Sequence, residues 1–305
     1  MKILITGSNG QLGRELQKQL QLGYSQIGKL PEQLIGANII PVDLPDLDIS
    51  KNDDVQKFLR DVHPDLIFNC AAYTNVDGCE EHSDLAYQAN AVGPRNLAEA
   101  AETIGAVLVH ISTDYVFSGK ENGKIPQDET AVPDPISVYG YTKLQGERFI
   151  QQVSKRYFIL RTAWLYSYYG RNFVKSIVNA GKKYGHLDVV NDQFGNPTNA
   201  ADLAYEIMQL CVTDLYGLYH CTGNGICSWY DFASEIIRMS GVEASVFPCT
   251  SMQYKIAHPA SASRPAWSAL DNLHLRNTIG DSMRPWQEAL REYFQHWDGK
   301  DGFKG

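Results

Sequence analysis

The sequence predicts an α/β chain: a doubly wound parallel sheet covered by helices on both faces, with a smaller α/β unit towards the C-terminus. Three stretches carry the prediction. Residues 2–6 form a short apolar run with β-branched members, which leads through Gly7-Ser8-Asn9-Gly10-Gln11-Leu12-Gly13 into the helix-forming residues 14–20. Residues 107–113 repeat the apolar run and end in two hydroxyls, Ser112 and Thr113, ahead of a loop. Tyr139 and Lys143 stand four apart in a helix-forming stretch, which puts both on one helical face about one turn apart.

In order along the chain, the first strand, turn and helix form the seat that a Rossmann-like sheet offers a dinucleotide. Glycines permit the tight turn and close backbone approach, and the pyrophosphate rests on the helix N-terminus. Gly7, Gly10, Gln11, Leu12 and Gly13 are therefore candidate cofactor contacts, in a G-x-x-G-x-x-G spacing one residue wider in its first interval than the usual dehydrogenase fingerprint. Residues 22–37, polar and holding Pro31, read as an insertion or extended loop. Residues 38–43 form the second strand, with Pro41 favouring a sheet edge. Asp43 ends it, where a carboxylate would accept hydrogen bonds from the adenosine ribose and repel a 2′-phosphate; the insertion explains its greater distance from Gly13 than the usual twenty or so residues. A helix over 53–62 and a third strand over 65–70 lead to Ala71-Ala72-Tyr73, small enough at first to let backbone approach a ligand.

A long helix is expected over 83–104, then the strand that ends at Thr113, in the position outside a strand's carboxyl end where open α/β sheets bind ligands. A polar loop over 120–135 reaches Tyr139. A free phenol, with a pKa of about 10, is a poor proton donor or acceptor at neutral pH, and a lysine one turn away is expected to lower that value. The helix of Tyr139 runs to about 152, followed by a strand over 157–161 and by Trp164. A helix over 172–183, a strand over 187–190 and a turn-rich stretch over 191–198 come next. The helix over 199–212 and the strand over 218–221 are expected to return to the first sheet. Ser228 is placed to cap a helix over 229–240. The remainder, with Pro248, Pro259 and Pro265, reads as irregular until a helix near 286–294, and 298–305 as a frayed tail. The expected division is 1–165 with 187–222 as the dinucleotide-binding unit, and 166–186 with 223–305 as the substrate-binding unit.

The three motifs in this order resemble the extended short-chain dehydrogenase/reductase superfamily. Ser112-Thr113-Asp114-Tyr115-Val116-Phe117, Arg161-Thr162-Ala163-Trp164-Leu165-Tyr166, Asn191-Asp192-Gln193-Phe194-Gly195-Asn196-Pro197-Thr198 and Ser263-Arg264-Pro265 narrow the resemblance to the dTDP-4-dehydrorhamnose reductase family, from residue 1 to about 294. The resemblance implies a 4-keto sugar nucleotide reduced by NADH or NADPH, with Thr113, Tyr139 and Lys143 catalytic. It places Asp48 and Ile49 against the adenine, and Ala71, Ala72 and Tyr73 against the dinucleotide. Lys143 would also meet the nicotinamide ribose, and Asn90 would order the helix beside the site. Thr113, Asp114 and Trp164 are assigned to the sugar, and Arg264 to the diphosphate, which suits a guanidinium. The resemblance further implies a homodimer and Mg²⁺ at a dimer contact, with Glu15 matching one acidic position; no full ligand set follows from the sequence, and no metal site is assigned.

Composition bounds the partners. With 305 residues, 44% hydrophobic and 20% charged, the chain can bury a sizeable core. A net charge of −8 disfavours nucleic acid or an anionic membrane, so an anionic sugar nucleotide must be met by local donors. Six scattered cysteines without a C-x-x-C pair, no apolar run of membrane length and no visible leader point to a reducing cytoplasm. Three other readings share parts of the pattern. A sugar-nucleotide 4,6-dehydratase would carry Asp-Glu after the threonine, where this chain has Asp114-Tyr115. A 4-epimerase would keep its cofactor and need no added reductant. A regulatory subunit resembling the methionine adenosyltransferase β subunit would not need the Thr113, Tyr139 and Lys143 that are present.

Overall fold

The structure, a computed structural model, describes residues 1–120 and 125–304. Part of the expected loop over 120–135, and the final residue of the expected tail, lie outside the described residues.

Near-solid apolar runs make the inner strands, and amphipathic helices follow each of them. The first lobe opens with β1 (Lys2–Thr6), α1 (Gln11–Leu22), β2 (Asn38–Val42), α2 (Asn52–Val62) and β3 (Leu66–Asn69). Three helices follow, α3 (Val76–Glu81), α4 (Ser83–Tyr87) and α5 (Gly93–Ile104), then β4 (Val107–Thr113), α6 (Val138–Val153) and β5 (Tyr157–Thr162). Beyond lie β6 (Leu165–Tyr166), α7 (Phe173–Tyr184), β7 (His186–Val190), β8 (Phe194–Gly195), β9 (Thr198–Asn199), α8 (Ala200–Leu210) and β10 (Gly217–His220). The chain continues with β11 (Cys227–Ser228), α9 (Trp229–Ser240), β12 (Ser245–Cys249), α10 (Ser251–Ala257), α11 (Leu273–Thr278) and α12 (Trp286–His296).

Six strands form one parallel sheet in the order β10-β5-β4-β3-β1-β2. From β1 the chain turns to β2 on one side and later to β3 on the other, so the order reverses at β1, the position at which doubly wound sheets bind ligands. Pro41 sits on β2, the edge strand, where its missing N–H costs no ladder bond. One face of the sheet packs Leu12, Leu16 and Leu20 of α1 with Leu203 and Ile207 of α8; the other packs Val55 and Leu59 of α2 with Leu97 and Ala101 of α5. The insertion is anchored, since Leu30 and Leu34 are buried in the α1–α8 face, each contributing about 1.5–3 kcal/mol. A separate aromatic core, including Tyr166, Tyr168, Phe232, Trp286 and Tyr293, fills the second lobe.

Four local expectations change. The helix expected over 83–104 is broken by a π-helical turn at Gln88–Val92, which carries the fully buried Asn90 inward. Residues 187–190, grouped by the expected division with the dinucleotide-binding unit, pair as β7 with β12 in a two-stranded parallel sheet apart from the large one. The stretch expected to be irregular holds β12, α10 and α11. The tail is docked where fraying was expected: Asp301 pairs with Arg14 of α1 at 2.9 Å and Lys175 of α7 at 2.7 Å, and Phe303 packs on Tyr168. Two opposite charges and one aromatic contact hold a segment whose composition looks polar. Among the described residues, no helix is long and apolar enough to cross a membrane.

Candidate active site

A cleft of about 1670 Å³ runs along the carboxyl ends of the strands, larger than the roughly 300–1,000 Å³ that one small ligand fills. At its first end is the glycine turn. Gly7 has φ of 64°, and a Cβ there would stand 2.6 Å from the Ala71 nitrogen, so only glycine lets the turn lie against the backbone after β3. The α1 N-terminus has no side-chain cap and no acidic residue in its first turn, which leaves its amides available to an anion. That open end, with the crowded glycine turn, fits a dinucleotide pyrophosphate.

Gly7, Gly10, Gln11, Leu12, Asp43, Asp48, Ile49, Ala71, Ala72 and Tyr73 all line the cleft. Gly13 does not: a Cβ there would meet the Gly7 oxygen at 2.5 Å, so its smallness packs α1 beneath the turn. Asp43 is held in place at the end of β2, accepting hydrogen bonds from Asn9 N at 3.0 Å and Leu44 N at 2.9 Å. Asp48 accepts from the Ser50 amide and hydroxyl, and Ile49 packs against Gly93 of α5. Asn90 grips Tyr73 on both sides, accepting from its N–H at 2.8 Å and donating to its carbonyl at 3.1 Å, and donates to Thr142 Oγ1 at 3.2 Å. The π-helical turn thus ties the backbone after β3 to α6.

At the middle of the cleft β4 delivers Thr113 and α6 delivers Tyr139 and Lys143. Ser137 caps α6 by accepting from Gly140 N at 3.1 Å, and Glu80 accepts from Val138 N at 2.9 Å, which fixes the helix start. A Cβ on Gly140 would overlap the Tyr115 carbonyl oxygen, so α6 approaches the loop after β4 as closely as backbone allows. Thr113 lies beside Tyr139, close enough to favour its phenolate, and the Tyr139 ring packs edge-on to Tyr115 at 5.8 Å. Lys143 is buried, donating from Nζ to the Ile111 carbonyl at 2.5 Å and lying 3.3 Å from His110 Nε2.

The electrostatics differ from those expected from spacing alone. Burial raises the Tyr139 phenol above its ordinary value; Thr113 opposes this, while Asp114 and Cys79 reinforce it. Lys143 is itself pushed down to about 8 by burial, with Glu147 and Cys70 opposing. The expected lowering of the phenol by Lys143 is not seen: burial sets the direction, and the groups that modify it are Thr113, Asp114 and Cys79. Asp114, buried between Thr113 and Ser268, is raised by burial to about 7 despite the hydrogen bonds that favour its carboxylate.

The far end of the cleft belongs to the second lobe. Trp164 holds a left-handed φ of 46°, an arrangement that costs a bulky residue of order 1 kcal/mol and is held by stacking on Trp229 at 3.5 Å. Arg264 also lines the cleft, donating to Asp77 Oδ1 at 3.0 Å and the Ala262 carbonyl at 3.1 Å. Glu15, associated with Mg²⁺, is buried in the fold, 2.7 Å from Lys18 and accepting from Ser167 at 3.2 Å. It is therefore closed to a dimer contact, and among the described residues no His, Cys, Asp and Glu group is arranged to hold a metal ion; Mg²⁺ has no support.

The family described as RmlD substrate binding domain matches residues 1–298. A dTDP-4-dehydrorhamnose reductase of Clostridium acetobutylicum superposes with a TM-score of 0.89 at 48% identity, covering 97% of this chain and 99% of that one. The chain belongs to the dTDP-4-dehydrorhamnose reductase family. A second reductase structure, from Bacillus anthracis and in complex with NADP, gives a TM-score of 0.87 at 40% identity over 96% and 98% of the two chains. The Bacillus subtilis spore coat polysaccharide biosynthesis protein SpsK is 39% identical over 96% of this chain and 97% of its own. Within the reductase frame, sequence reasoning missed Trp229, whose ring supports Trp164, and His110 and Asn69, buried beneath Lys143. Only the position of His110 three residues before Thr113, inside an otherwise apolar strand, signalled the latter.

Proposed function

We propose that this chain reduces the 4-keto group of dTDP-4-dehydro-L-rhamnose with NADH or NADPH to give dTDP-L-rhamnose. The observation that carries the reading is the convergence of Thr113, Tyr139 and Lys143 in one cleft with the uncapped α1 N-terminus. A bound nicotinamide would supply the hydride. Tyr139, kept protonated by its burial, gives the proton to the C4 oxygen as charge develops there. Thr113 hydrogen-bonds the same oxygen and aligns it with Tyr139. Lys143 offsets the negative charge left on the phenolate. Asp114, poised near neutrality, faces the sugar with Trp164. In this reading the large-sheet lobe serves the cofactor, and the lobe built from 166–186 and 223–305, joined by β7, serves the sugar nucleotide. A cytoplasmic homodimer completes the reading.

Adding dTDP-4-dehydro-L-rhamnose to the protein should cause stoichiometric oxidation of NADH or NADPH, read as loss of near-ultraviolet absorbance. Conversion with no reductant consumed would favour an epimerase, and no turnover at all a binding subunit. With Asp43 fixed at the adenosine end, kcat/KM for NADH should match or exceed that for NADPH, because a like charge beside the 2′-phosphate costs up to several kcal/mol. A large preference for NADPH would place Asp43 away from the ribose.

Trp164 and Arg264 should fail differently. Trp164→Ala removes the stacked wall and should lower turnover through misalignment. Arg264→Ala removes a charge-assisted contact worth about 1.5–3 kcal/mol, or roughly 10- to 100-fold in affinity, and should act mainly on binding. Calorimetry with dTDP checks the second; equal affinity in variant and parent would end the diphosphate role.

A further inference from the structure

Beneath the cleft floor a line of buried polar side chains leads from β1 to Lys143. Thr6, Asn69, His110 and Lys143 are each at most 5% exposed. Asn69 Oδ1 accepts from Thr6 Oγ1 at 2.8 Å and from the Ala71 backbone N–H at 3.2 Å. A backbone N–H can only donate, so the atom facing Ala71 must be the amide oxygen. The Asn69 NH₂ then points to His110 Nδ1 at 3.0 Å, and that nitrogen must accept. The ring proton is left on Nε2, 3.3 Å from Lys143 Nζ. An ammonium has three donors and no acceptor, whereas an amine has a lone pair that can receive that proton.

We propose that Asn69 locks His110 in the Nε2–H tautomer, and that this pair acts as a positioning device that disfavours the ammonium form of Lys143. The proposal deepens the reading of Lys143 given above, but the lock itself is independent of turnover. His110 stays neutral, because burial and the Lys143 charge both hold it well below its ordinary value. The groups facing Lys143 are His110 on β4, Cys70 after β3, and Glu147 one turn further along α6, itself paired with Arg161 of β5. Glu147 and Cys70 favour the charged form and burial opposes it, which brings Lys143 down to about 8; the donating ring adds to the opposing side. In the reading above it is the charged form that offsets the phenolate, so the contribution of Lys143 is lost as pH rises past that value.

Imidazole ¹⁵N shifts in the ligand-free protein test the lock directly. The expected result is a hydrogen on Nε2 of His110 and none on Nδ1; a hydrogen on Nδ1 overturns the proposal. The Lys143 ¹³Cε resonance, assigned by its loss in Lys143→Met, should titrate well below the bulk lysines. His110→Leu makes the surroundings more apolar, which alone would lower the midpoint further. Loss of the donating ring should instead raise it by about one pH unit, tenfold in proton affinity. An unchanged or lowered midpoint also overturns the lock, and should that variant not fold, the tautomer in the parent decides. The alkaline limb of kcat/KM should move with the midpoint. A limb that stays while the midpoint moves would remove Lys143 from the reaction and leave the lock standing.

Discussion

Tyr139→Phe is expected to slow single-turnover hydride transfer by about 10²- to 10⁴-fold, the range that general acid catalysis supplies. The substitution removes one oxygen and keeps the ring against Tyr115, so α6 and the Thr113 strand should stay in place. Because burial holds the phenol above its ordinary value, the parent's alkaline limb should not report ionisation of Tyr139. The limb belongs to Lys143, and it should persist in Tyr139→Phe on the residual rate. A single-turnover rate within about twofold of the parent at saturating cofactor and substrate would mean that another group gives the proton.

Arg161→Leu is expected to destabilise the fold by about 3–5 kcal/mol, the usual result of leaving one member of a buried ion pair alone. Arg161 of β5 meets Glu147 of α6 through Nε at 2.9 Å and Nη2 at 2.7 Å, both side chains almost fully buried. Glu147 also receives the Ser112 hydroxyl, and the guanidinium covers the Phe117 ring and lies 3.4 Å from His220 Nε2. The single change strands a carboxylate inside that cluster. Adding Glu147→Leu should recover much of the loss, since an apolar pair of similar volume escapes the desolvation penalty. Urea unfolding midpoints check both. A single variant within 1 kcal/mol of the parent, on the order of the error of such extrapolations, would mean that Glu147 finds a new partner or takes up a proton.

The parts legible in the sequence were those whose signal is local. β1, β3, β4 and β5 are short, mostly apolar and almost wholly buried runs, as inner strands are. Ser228 caps its helix, as side chains of that type do at helix starts. The cleft was readable because Gly7 and Thr113 sit at the ends of strands and Tyr139 and Lys143 stand one turn apart on a helix. What stayed hidden depends on distant contacts. β12 carries Pro248 and is largely exposed, and α10 buries no residue, so neither has an apolar period to read. The upward shift of Tyr139 comes from burial by elements far apart in sequence, which spacing to Lys143 cannot reveal. The docking of Asp301 rests on charges more than a hundred residues away.

The place of β10 at the end of the large sheet bears on how the chain is made. β5 pairs with β4 on one side as soon as residue 162 is available, but its other side waits for residues 217–220. Everything from 163 to 216 must be synthesised first, which at ~5–20 residues per second takes roughly 3–10 s. Throughout that interval β5 is an open, apolar sheet edge, and Phe158 lacks the rings of Tyr216 and Tyr219 that later cover it. Such edges recruit other strands. The nascent chain therefore passes through a window in which a holdase chaperone, or slower passage of the ribosome through the second lobe, would change how much folded protein emerges without altering the finished molecule.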